Sequence, residues 1–456
     1  MAKKKVEELT IEEKLNNSLI PVGKQPYEIP KNWCWVKLEA LSSEKGFFDG
    51  DWILSEDMDK NGNIRLIQLA DIGKGNFLNK SKKFINEDVF NKLNCKEIFP
   101  NDLLIARMPE PIARSCIVPF LSNKLITVVD VAVFRYNKIL LNNKFANYLC
   151  NTPYFNNLAN NKARGSTRQR ITRRHLGELP FPLPPLAEQE RIVNKLDNYI
   201  SKLDEAKEKL EKVVDTYNYR KNLILHKAFT GQLTKKWRKE NNISFDNWKE
   251  FLLKDILLPM TSKKPKGEYF RYIDIDSIDN EFQEVKEPKY MQTEKASSRA
   301  NRELKTGDVI FSLVRPYLRN IAFIDETLSD CIASTGFYVC RANKEIIPEY
   351  LYKFLCFDKT IGYLNKFMRG FNSPSIRNND LLNMPITLPP LEEQKEIVKI
   401  LDSILSKEKQ VKEIAEKEIE RVEDLKKNLL TRAFGGILGT NDPNEENSIE
   451  LLKSVL

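Results

Sequence analysis

The sequence has few of the residues on which catalytic centres are usually built. It contains two histidines, His175 and His226, and seven cysteines that are scattered without a C-x-x-C pair. Two histidines cannot supply a histidine-based metal site or a Ser-His-Asp triad, and the cysteine pattern argues against a disulfide scaffold or a zinc module. Unpaired cysteines instead favour a reducing, cytoplasmic location.

The motifs that hold common cofactors are also missing. There is no G-x-x-x-x-G-K-[ST] loop to cradle the phosphates of ATP and no G-x-G-x-x-G loop for a dinucleotide. The proline pairs occur within Leu-Pro-Pro-Leu, not in the Asn/Asp-Pro-Pro-aromatic loop that would hold an amino group for methyl transfer. The sequence therefore predicts a protein that binds no cofactor and is not an enzyme by itself.

Long apolar runs are absent as well. No run approaches 18 apolar residues, and the lysine- and glutamate-rich start lacks the apolar core of a signal peptide. We therefore predict neither a transmembrane helix nor a membrane partner. The net charge of +9 is mild for 456 residues, so it permits a nucleic-acid partner without requiring one.

The most informative feature is a stretch that occurs twice. Residues 179–231 and 384–436 align without a gap at an offset of 205 residues. Both copies carry Leu-Pro-Pro-Leu-x-Glu-Gln near the start and Ala-Phe-x-Gly at the end. Prolines interrupt a preceding element and a glycine commonly ends a helix, so each copy is predicted to form one long helix.

Each predicted helix carries apolar residues at alternating steps of four and three, which is the heptad seam of a coiled coil. The seam positions include Ile192, Leu196, Tyr199, Leu203, Leu210 and Val213 in the first copy, and Ile397, Leu401, Ile404, Val411, Val422 and Leu425 in the second, where Glu408 and Glu418 interrupt the seam. A helix of about 45 residues is about 65 Å long. Such a helix needs a second helix beside it.

A mixed domain precedes each long helix. In the first domain, β-branched content predicts strands at residues 64–69, 103–106 and 126–135, and helices are expected at 145–150 and 152–160. The second domain repeats the frame faintly: Arg164-Gly165 matches Arg369-Gly370, whereas the sequence between such anchors diverges. The sequence thus predicts a tandem duplication in which the two domains share anchor residues and differ in most other residues.

These observations predict an α+β fold in which two similar mixed α/β domains are separated by a long antiparallel two-helix coiled coil with pseudo-twofold symmetry. Short connectors allow the helices to pair only antiparallel, with one domain at each end. The predicted segments are a lead (1–25), a first domain (26–185), a first helix (186–231), a connector (232–244), a second domain (245–390), a second helix (391–436) and a tail (437–456).

The positive signal for function is local. From Val131 to Gly177 there is no acidic residue, and the densest part of this span is a basic, glycine-containing loop. Arginine can bridge guanine, glutamine can bridge adenine, and hydroxyls suit phosphates. The candidate DNA contacts in this loop are Arg164, Ser166, Thr167, Arg168, Gln169, Arg170, Arg173 and Arg174.

The matching loop of the second domain has fewer charges but the same glycine and similar polar types. Its candidates are Arg369, Asn372, Ser373, Ser375 and Arg377. A further set of arginines flanks a proline after a strand in each domain, Arg107 and Arg114 against Arg315 and Arg319. The alternative interpretations are a solvated basic loop and a surface turn with ion pairs.

With these motifs in place, the sequence resembles the specificity subunits of Type I restriction-modification systems over nearly its whole length. The resemblance rests on the repeated Leu-Pro-Pro-Leu-x-Glu-Gln helix start, the Ala-Phe-x-Gly helix end, and the Arg-Gly-Ser-Thr and Arg-Gly-Phe-Asn loops before the helices. The opening Trp33-x-Trp35-Val-Lys-Leu also fits.

The resemblance implies two target-recognition domains that each read one half of a split, asymmetric site in double-stranded DNA. It implies helices that set the number of unread base pairs and dock two methyltransferase subunits. S-adenosylmethionine and ATP would be bound by the methyltransferase and motor-nuclease subunits, and this subunit would be non-catalytic. The competing hypothesis is a coiled-coil scaffold or adaptor protein that presents two domains which do not bind DNA.

Overall fold

The structure is a computed structural model that describes residues 9–166, 168–438, 441–442 and 444–456. Its described part divides into two compact units, one drawn from Met1–Lys209 with Glu418–Leu456 and the other formed by Leu210–Lys417. Each unit contains one mixed domain and a segment from each copy of the long-helix stretch. Among the described helices, none is long and apolar enough to cross a membrane.

The first domain is built from short strands and helices. The strands are β1 (Cys34–Lys37), β2 (Ser42–Asp49), β3 (Ile64–Ile67), β4 (Lys83–Ile85), β5 (Leu103–Ala106), β6 (Ser115–Ile117), β7 (Lys124–Thr127), β8 (Val131–Tyr136) and β9 (Pro180–Leu183). The helices are α1 (Ile11–Ser18), α2 (Glu87–Lys92), α3 (Asn143–Cys150), α4 (Pro153–Lys162) and α5 (Arg173–Gly177).

The first copy of the repeated stretch supplies α6 (Leu186–Asp215) and α7 (Tyr217–Phe229), and α8 (Lys235–Glu240) follows in the connector. The second copy forms a single helix of 44 residues, which begins at Leu391 and ends at Phe434. Both copies begin directly after the double proline, as the sequence predicts.

The second domain has a similar set of elements. Its strands are β10 (Lys249–Leu252), β11 (Leu257–Leu258), β12 (Tyr269–Ile273), β13 (Ile278–Asp279), β14 (Glu284–Val285), β15 (Lys289–Gln292), β16 (Ala300–Glu303), β17 (Val309–Ser312), β18 (Ile321–Phe323), β19 (Ile332–Ser334), β20 (Phe337–Ala342) and β21 (Pro385–Leu388). The helices are α9 (Leu253–Ile256), α10 (Pro348–Leu355), α11 (Asp358–Asn365) and α12 (Asn378–Leu382), followed by α13 (Leu391–Phe434) and α14 (Ser448–Lys453).

The predicted duplication is confirmed by the sheet topology. The first domain has a four-stranded sheet in the order β2-β8-β5-β6, and the second has its counterpart in β11-β20-β17-β18. A second sheet, β4-β3-β7 in one domain and β15-β12-β19-β16 in the other, contains one parallel pair in each case. The antiparallel ribbons β1-β9 and β10-β21 join the entry of each domain to its exit.

Each mixed domain shares its hydrophobic core with ends of the long helices. In the first unit, Ile192 and Leu196 of α6 belong to the same buried cluster as Phe145 and Phe181. In the second unit, Ile397 and Leu401 of α13 lie in one cluster with the domain residues around α10. Each domain is therefore packed firmly against the helix that follows it.

A buried glutamine fastens each helix start to its domain. The Gln189 side chain donates to the carbonyl oxygens of Leu140 (2.8 Å) and Pro184 (2.9 Å), and it accepts from the backbone N–H of Asn142 (2.8 Å). Gln394 makes the equivalent three bonds in the second unit. The repeated glutamine is thus explained by backbone groups that would otherwise be buried without a partner.

Within each unit the long helices run antiparallel. In the first unit, Lys207 pairs with Glu423 at 2.7 Å, and Lys426 pairs with Asp204, so partner numbers fall as residue numbers rise. In the second unit, Arg220 pairs with Glu408 at 2.8 Å. This pairing agrees with the predicted antiparallel arrangement, whereas knobs-into-holes packing of a coiled coil stays a prediction.

The predicted seam is wrong at three positions. Tyr199, Val411 and Leu425 are 46%, 47% and 46% exposed, whereas Lys412, next to Val411, is 6% exposed. A straight α-helix drifts by about 20° per heptad relative to an exact seven-residue repeat. The contact stripe therefore moves by one residue along the helix, and lysine stems take the place of some apolar residues.

The remaining seam positions are buried or partly buried. Ile192, Leu196, Ile397, Leu401 and Val422 are buried. The partly buried ones are Leu203, Leu210, Val213 and Ile404.

The prediction of one unbroken first helix is also wrong, because α6 ends at Asp215 and α7 begins at Tyr217. The Thr216 hydroxyl donates to the carbonyl of Lys212 at 2.6 Å, and Arg220 Nη1 donates to the carbonyl of Val213 at 3.1 Å. The interruption is a single residue, because the backbone N–H of Thr216 still donates to the carbonyl of Lys212 at 3.1 Å and that of Arg220 to the carbonyl of Thr216 at 3.0 Å.

The expected strand at 126–135 is two strands, β7 and β8, separated by a turn at residues 128–130. The turn carries Asp130, whose carboxylate pairs with an arginine of the candidate loop. Continuous β-branched content does not show where such a turn falls.

Candidate nucleic-acid interface

The basic loop of the first domain is a closed hairpin between α4 and α5. Arg164 and Arg170 exchange both backbone hydrogen bonds, at 3.0 and 2.9 Å. Gly165 has a φ of +123°, and a Cβ there would lie 2.4 Å from the carbonyl oxygen of Arg168. The next residue, Ile171, is buried and donates to the carbonyl of Arg107 at 3.1 Å, which fixes the hairpin to the end of β5.

The arginines of this loop divide into two groups. Arg170 is held by Asp130 (3.2 Å) and by the carbonyl of Val129 (3.1 Å). Arg164 and Arg168 are exposed, and within the described part of the chain they make no ion pair. These two guanidinium groups are thus presented to solvent.

The other candidates in and beside this hairpin differ in their surroundings. Arg173 lies over the ring of Phe47 and stands 3.4 Å from Asp49, whereas Arg174 pairs with Glu178 at 3.1 Å on the helix surface. Ser166 and Gln169 are exposed. Thr167 lies outside the described residues.

The second domain has an equivalent hairpin. Arg369 and Ser375 exchange two backbone hydrogen bonds of 2.9 Å, and the buried Ile376 donates to the carbonyl of Leu313 at 2.9 Å. Gly370 has a φ of +98°. The hairpin is therefore attached to the end of β17 as the first one is attached to β5.

The tip of this second hairpin is polar and aromatic rather than basic. Asn372 and Ser373 are exposed, as is Arg377 just after the hairpin. Arg369 is committed to Asp380 at 2.5 Å, and Ser375 is partly buried. The two loops therefore share a backbone frame and differ in the side chains that they present.

The arginines that flank the proline in the first domain, Arg107 and Arg114, hold parts of that domain together. Arg107 is 6% exposed and pairs with Asp49, and burial lowers the pKa of its guanidinium while Asp49 opposes that change. Arg114 donates to three backbone carbonyls, those of Leu69, Ile72 and Pro109. Both side chains are engaged within the domain instead of being presented at its surface.

The sequence match between Arg107 and Arg315 does not hold in space. Leu313 accepts from Ile376 as Arg107 accepts from Ile171, so Leu313 is the structural counterpart of Arg107. Arg315 is exposed, with φ at +47°, and donates to the carbonyl of Asn372 at 2.7 Å. Arg319 pairs with Asp358.

Each hairpin borders a groove in its own domain. The groove of the first domain has a volume of about 670 Å³ and is lined by Arg168 and Arg170, and by an apolar wall that includes Trp52, Leu54 and Met108. The indole of Trp52 is 66% exposed. Sequence motifs do not reveal this wall, because a single tryptophan in an irregular segment has no distinctive spacing.

The groove of the second domain is larger and more polar. Its volume is about 860 Å³, and its lining includes Arg315 and Ser373 from the candidate set together with Asp274, Lys289 and Arg299. A groove of this chemistry offers both hydrogen-bond donors and acceptors. The two domains therefore present unlike surfaces at equivalent places.

Comparison with known proteins identifies the same two domains. The sequence model of a family described as Type I restriction modification DNA specificity domain matches residues 30–215 and 246–421. The two matches cover both mixed domains and extend into both long-helix stretches.

The similar proteins are specificity subunits of Type I restriction enzymes. The chain is 24% identical to the EcoBI specificity subunit of Escherichia coli over 90% of this chain and 87% of that protein. It is 22% identical to the EcoKI specificity subunit of Escherichia coli strain K12 over 83% of each chain. The MjaVIII specificity subunit of Methanocaldococcus jannaschii is 25% identical over 62% of this chain and 68% of that protein.

Solved structures share the fold. The crystal structure of the HsdS subunit from Thermoanaerobacter tengcongensis matches with a TM-score of 0.61 at 19% identity, covering 91% of this chain and 100% of that one. A chain from a structural study of complex assembly and conformational transition of the type I R-M system matches with a TM-score of 0.69 at 20% identity, over 91% and 100%. The chain belongs to the family of Type I restriction-modification specificity subunits, and it carries two target-recognition domains.

Proposed function

We propose that this specificity subunit reads a split, asymmetric site in double-stranded DNA, with the first recognition domain on one half and the second on the other. The observation that carries the proposal is the pair of equivalent hairpins with unlike tips. A duplicated frame positions both hairpins in the same way, so a difference in their side chains becomes a difference in the bases they select.

The two tips suit different bases. Arg164 and Arg168 can bridge the O6 and N7 atoms of guanine or contact phosphates. Asn372 can bridge the N6 and N7 atoms of adenine, and Ser373 can bond either a base edge or a phosphate. Arg107, Arg114 and Arg369 are left out of the proposed contact set, because partners within the domain engage them.

The long helices are proposed to set the number of unread base pairs and to dock two methyltransferase subunits. Two of the exposed apolar residues, Tyr199 and Leu425, line one groove of about 590 Å³ within the first unit. Apolar side chains exposed along a helix are typical of a surface that another helix covers.

The same proposal assigns the chemistry to other subunits. S-adenosylmethionine would be bound by the methyltransferase subunits and ATP by the motor-nuclease subunits, while this chain contributes recognition without catalysis. The assembly would act in the cytoplasm and would have no membrane partner.

A reciprocal pair of substitutions tests the recognition roles. Once the split site is known, affinity is measured for duplexes with both halves intact, the first half scrambled, or the second half scrambled. Arg168→Ala is expected to remove part of the penalty for scrambling the first half and to leave the penalty for the second half unchanged, and Arg377→Ala is expected to do the reverse. A lost base contact is worth about 1–3 kcal/mol.

Lys236→Ala provides the control, because the substitution also removes one positive charge. The Lys236 side chain is 90% exposed on the connector, away from both hairpins in the sequence. The control should weaken the three duplexes equally, if at all. If Arg168→Ala and Arg377→Ala each lowered discrimination at both halves, the assignment of one domain to one half would be wrong.

A further inference from the structure

Phe371 stands at the tip of the second hairpin with its side chain entirely in solvent. Its relative exposure is 104%, the highest of the large hydrophobic residues in the described part of the chain. Aromatic rings are usually at least partly covered, because exposing one forgoes the gain of burying its apolar surface. The aligned position in the first hairpin is Ser166, so the ring is a feature of the second domain alone.

The hairpin that carries Phe371 is held in place at its base and along one side. The base is closed by the two backbone bonds between Arg369 and Ser375. Along the side, Arg315 donates its backbone N–H to the carbonyl of Pro374 and its guanidinium to the carbonyl of Asn372, both at 2.7 Å. The tip is thus ordered before any ligand arrives, which lowers the entropic cost of binding.

The surroundings of the ring point to a nucleic-acid ligand. Arg315 is exposed and donates to the hairpin at Asn372, and Arg377 is exposed two residues after the hairpin ends. The nearby carboxylate of Asp380 is paired with Arg369. A hairpin that presents an apolar ring and has exposed cations beside it is suited to a groove whose walls are phosphates and whose floor carries apolar groups.

The neighbours of Phe371 favour one groove over the other. Asn372 and Ser373 follow it and are exposed. An adenine offers Asn its N6 and N7 atoms in the major groove, and the C5-methyl group of thymine lies in the same groove. Aromatic and aliphatic wedges that unstack bases act mainly from the minor groove, where that asparagine pairing is not available.

We propose that Phe371 is a specificity-determining residue that contacts the C5-methyl group of a thymine in the half-site of the second domain. The inference rests on the proposed DNA-reading function and deepens it. It assigns an apolar contact to one half-site and none to the other, where Ser166 occupies the equivalent position.

The test removes the methyl group and leaves the base pairing intact. The full chain is first used to select its site from random duplex DNA, and each thymine of the second half is then replaced singly by uracil. Wild-type protein should lose affinity about four- to tenfold at one of these positions. Phe371→Ala should bind the thymine duplex more weakly and show no further loss with uracil.

Two variants serve as controls. Phe371→Leu keeps an apolar side chain and should retain part of the uracil penalty, whereas Lys236→Ala, a change on the exposed connector, should leave the penalty unchanged. If the chain selects a split site but wild type tolerates uracil at every position, or Phe371→Ala keeps the full penalty, the inference is overturned while the proposed function stands. If the chain selects no DNA, both are overturned.

Discussion

At the scale of single residues, the arginines near the interface have two distinct roles. Arg107 and Arg114 fasten loops to strands through a carboxylate and three carbonyls, whereas Arg164 and Arg168 are presented to solvent. The sequence places all four near predicted loops and cannot separate them. The separation depends on partners such as Asp49, which is far away in the chain and adjacent only in the folded domain.

The buried glutamines allow a test of residue roles that is independent of DNA. Replacing Gln189 by alanine leaves one backbone N–H and two carbonyl groups without their side-chain partner. We expect the first unit to lose about 2–4 kcal/mol of stability. Hydrogen exchange at the Asn142 amide should accelerate correspondingly, because that N–H loses its acceptor.

The matched control is Gln232→Ala, which truncates an exposed glutamine in the connector and should change neither quantity measurably. Exchange at Asn142 that stays as slow as in the wild type would show that the glutamine does not hold the helix start.

At the scale of elements, the sequence predicts the long helices well and their contact surface less well. The double prolines mark both helix starts, Leu186 and Leu391. The seam drifts because 3.6 residues per turn do not match a seven-residue repeat, and a strict heptad reading ignores that drift. At the one-residue interruption, the side chains of Thr216 and Arg220 bond to carbonyl oxygens of the preceding turn, which periodicity does not reveal.

The proposed spacer role of the helices predicts the result of lengthening them. One heptad is inserted between Lys209 and Leu210 and another between Lys417 and Glu418, the positions where the two compact units meet along the chain. Seven helical residues add about 10 Å, which corresponds to about three base pairs. The unread gap in the selected DNA should lengthen by that amount while both half-sites keep their sequences.

The same heptad placed between Asn241 and Asn242, in the exposed end of the connector, should leave the gap unchanged. Should lengthening the helices alter the bases selected in either half and not the gap, the helices would have to act on recognition itself rather than on spacing.

At the scale of the whole molecule, the sequence predicts that the chain contains two equivalent domains, but it does not predict which side chains line the groove of each domain. Anchors such as Arg164-Gly165 and Arg369-Gly370 locate equivalent hairpins, because both glycines adopt a positive φ that other residues rarely do. The groove walls are not predictable, since Trp52 in one domain and Asp274 in the other belong to segments that diverge. That divergence is expected where two domains select different ligands.

The burial of the cysteines leads to a prediction for the intact chain. All seven are buried and unpaired, and burial raises the pKa of thiols in both units, for example to about 12 for Cys34 and about 11 for Cys356. The thiolate is the reactive form, so at about pH 8 the folded protein should resist a thiol-specific reagent. Denaturation in guanidinium chloride should release all seven thiols, and rapid reaction of any thiol in the folded chain would contradict the packing.

The central claim, that two unlike reading surfaces act together on one DNA molecule, is tested most directly by sequencing the duplexes that the full chain selects from a random library. The account predicts two short conserved blocks of different sequence, separated by a gap of constant length in which no base is preferred. A single continuous block, two identical blocks or a gap of variable length would contradict it.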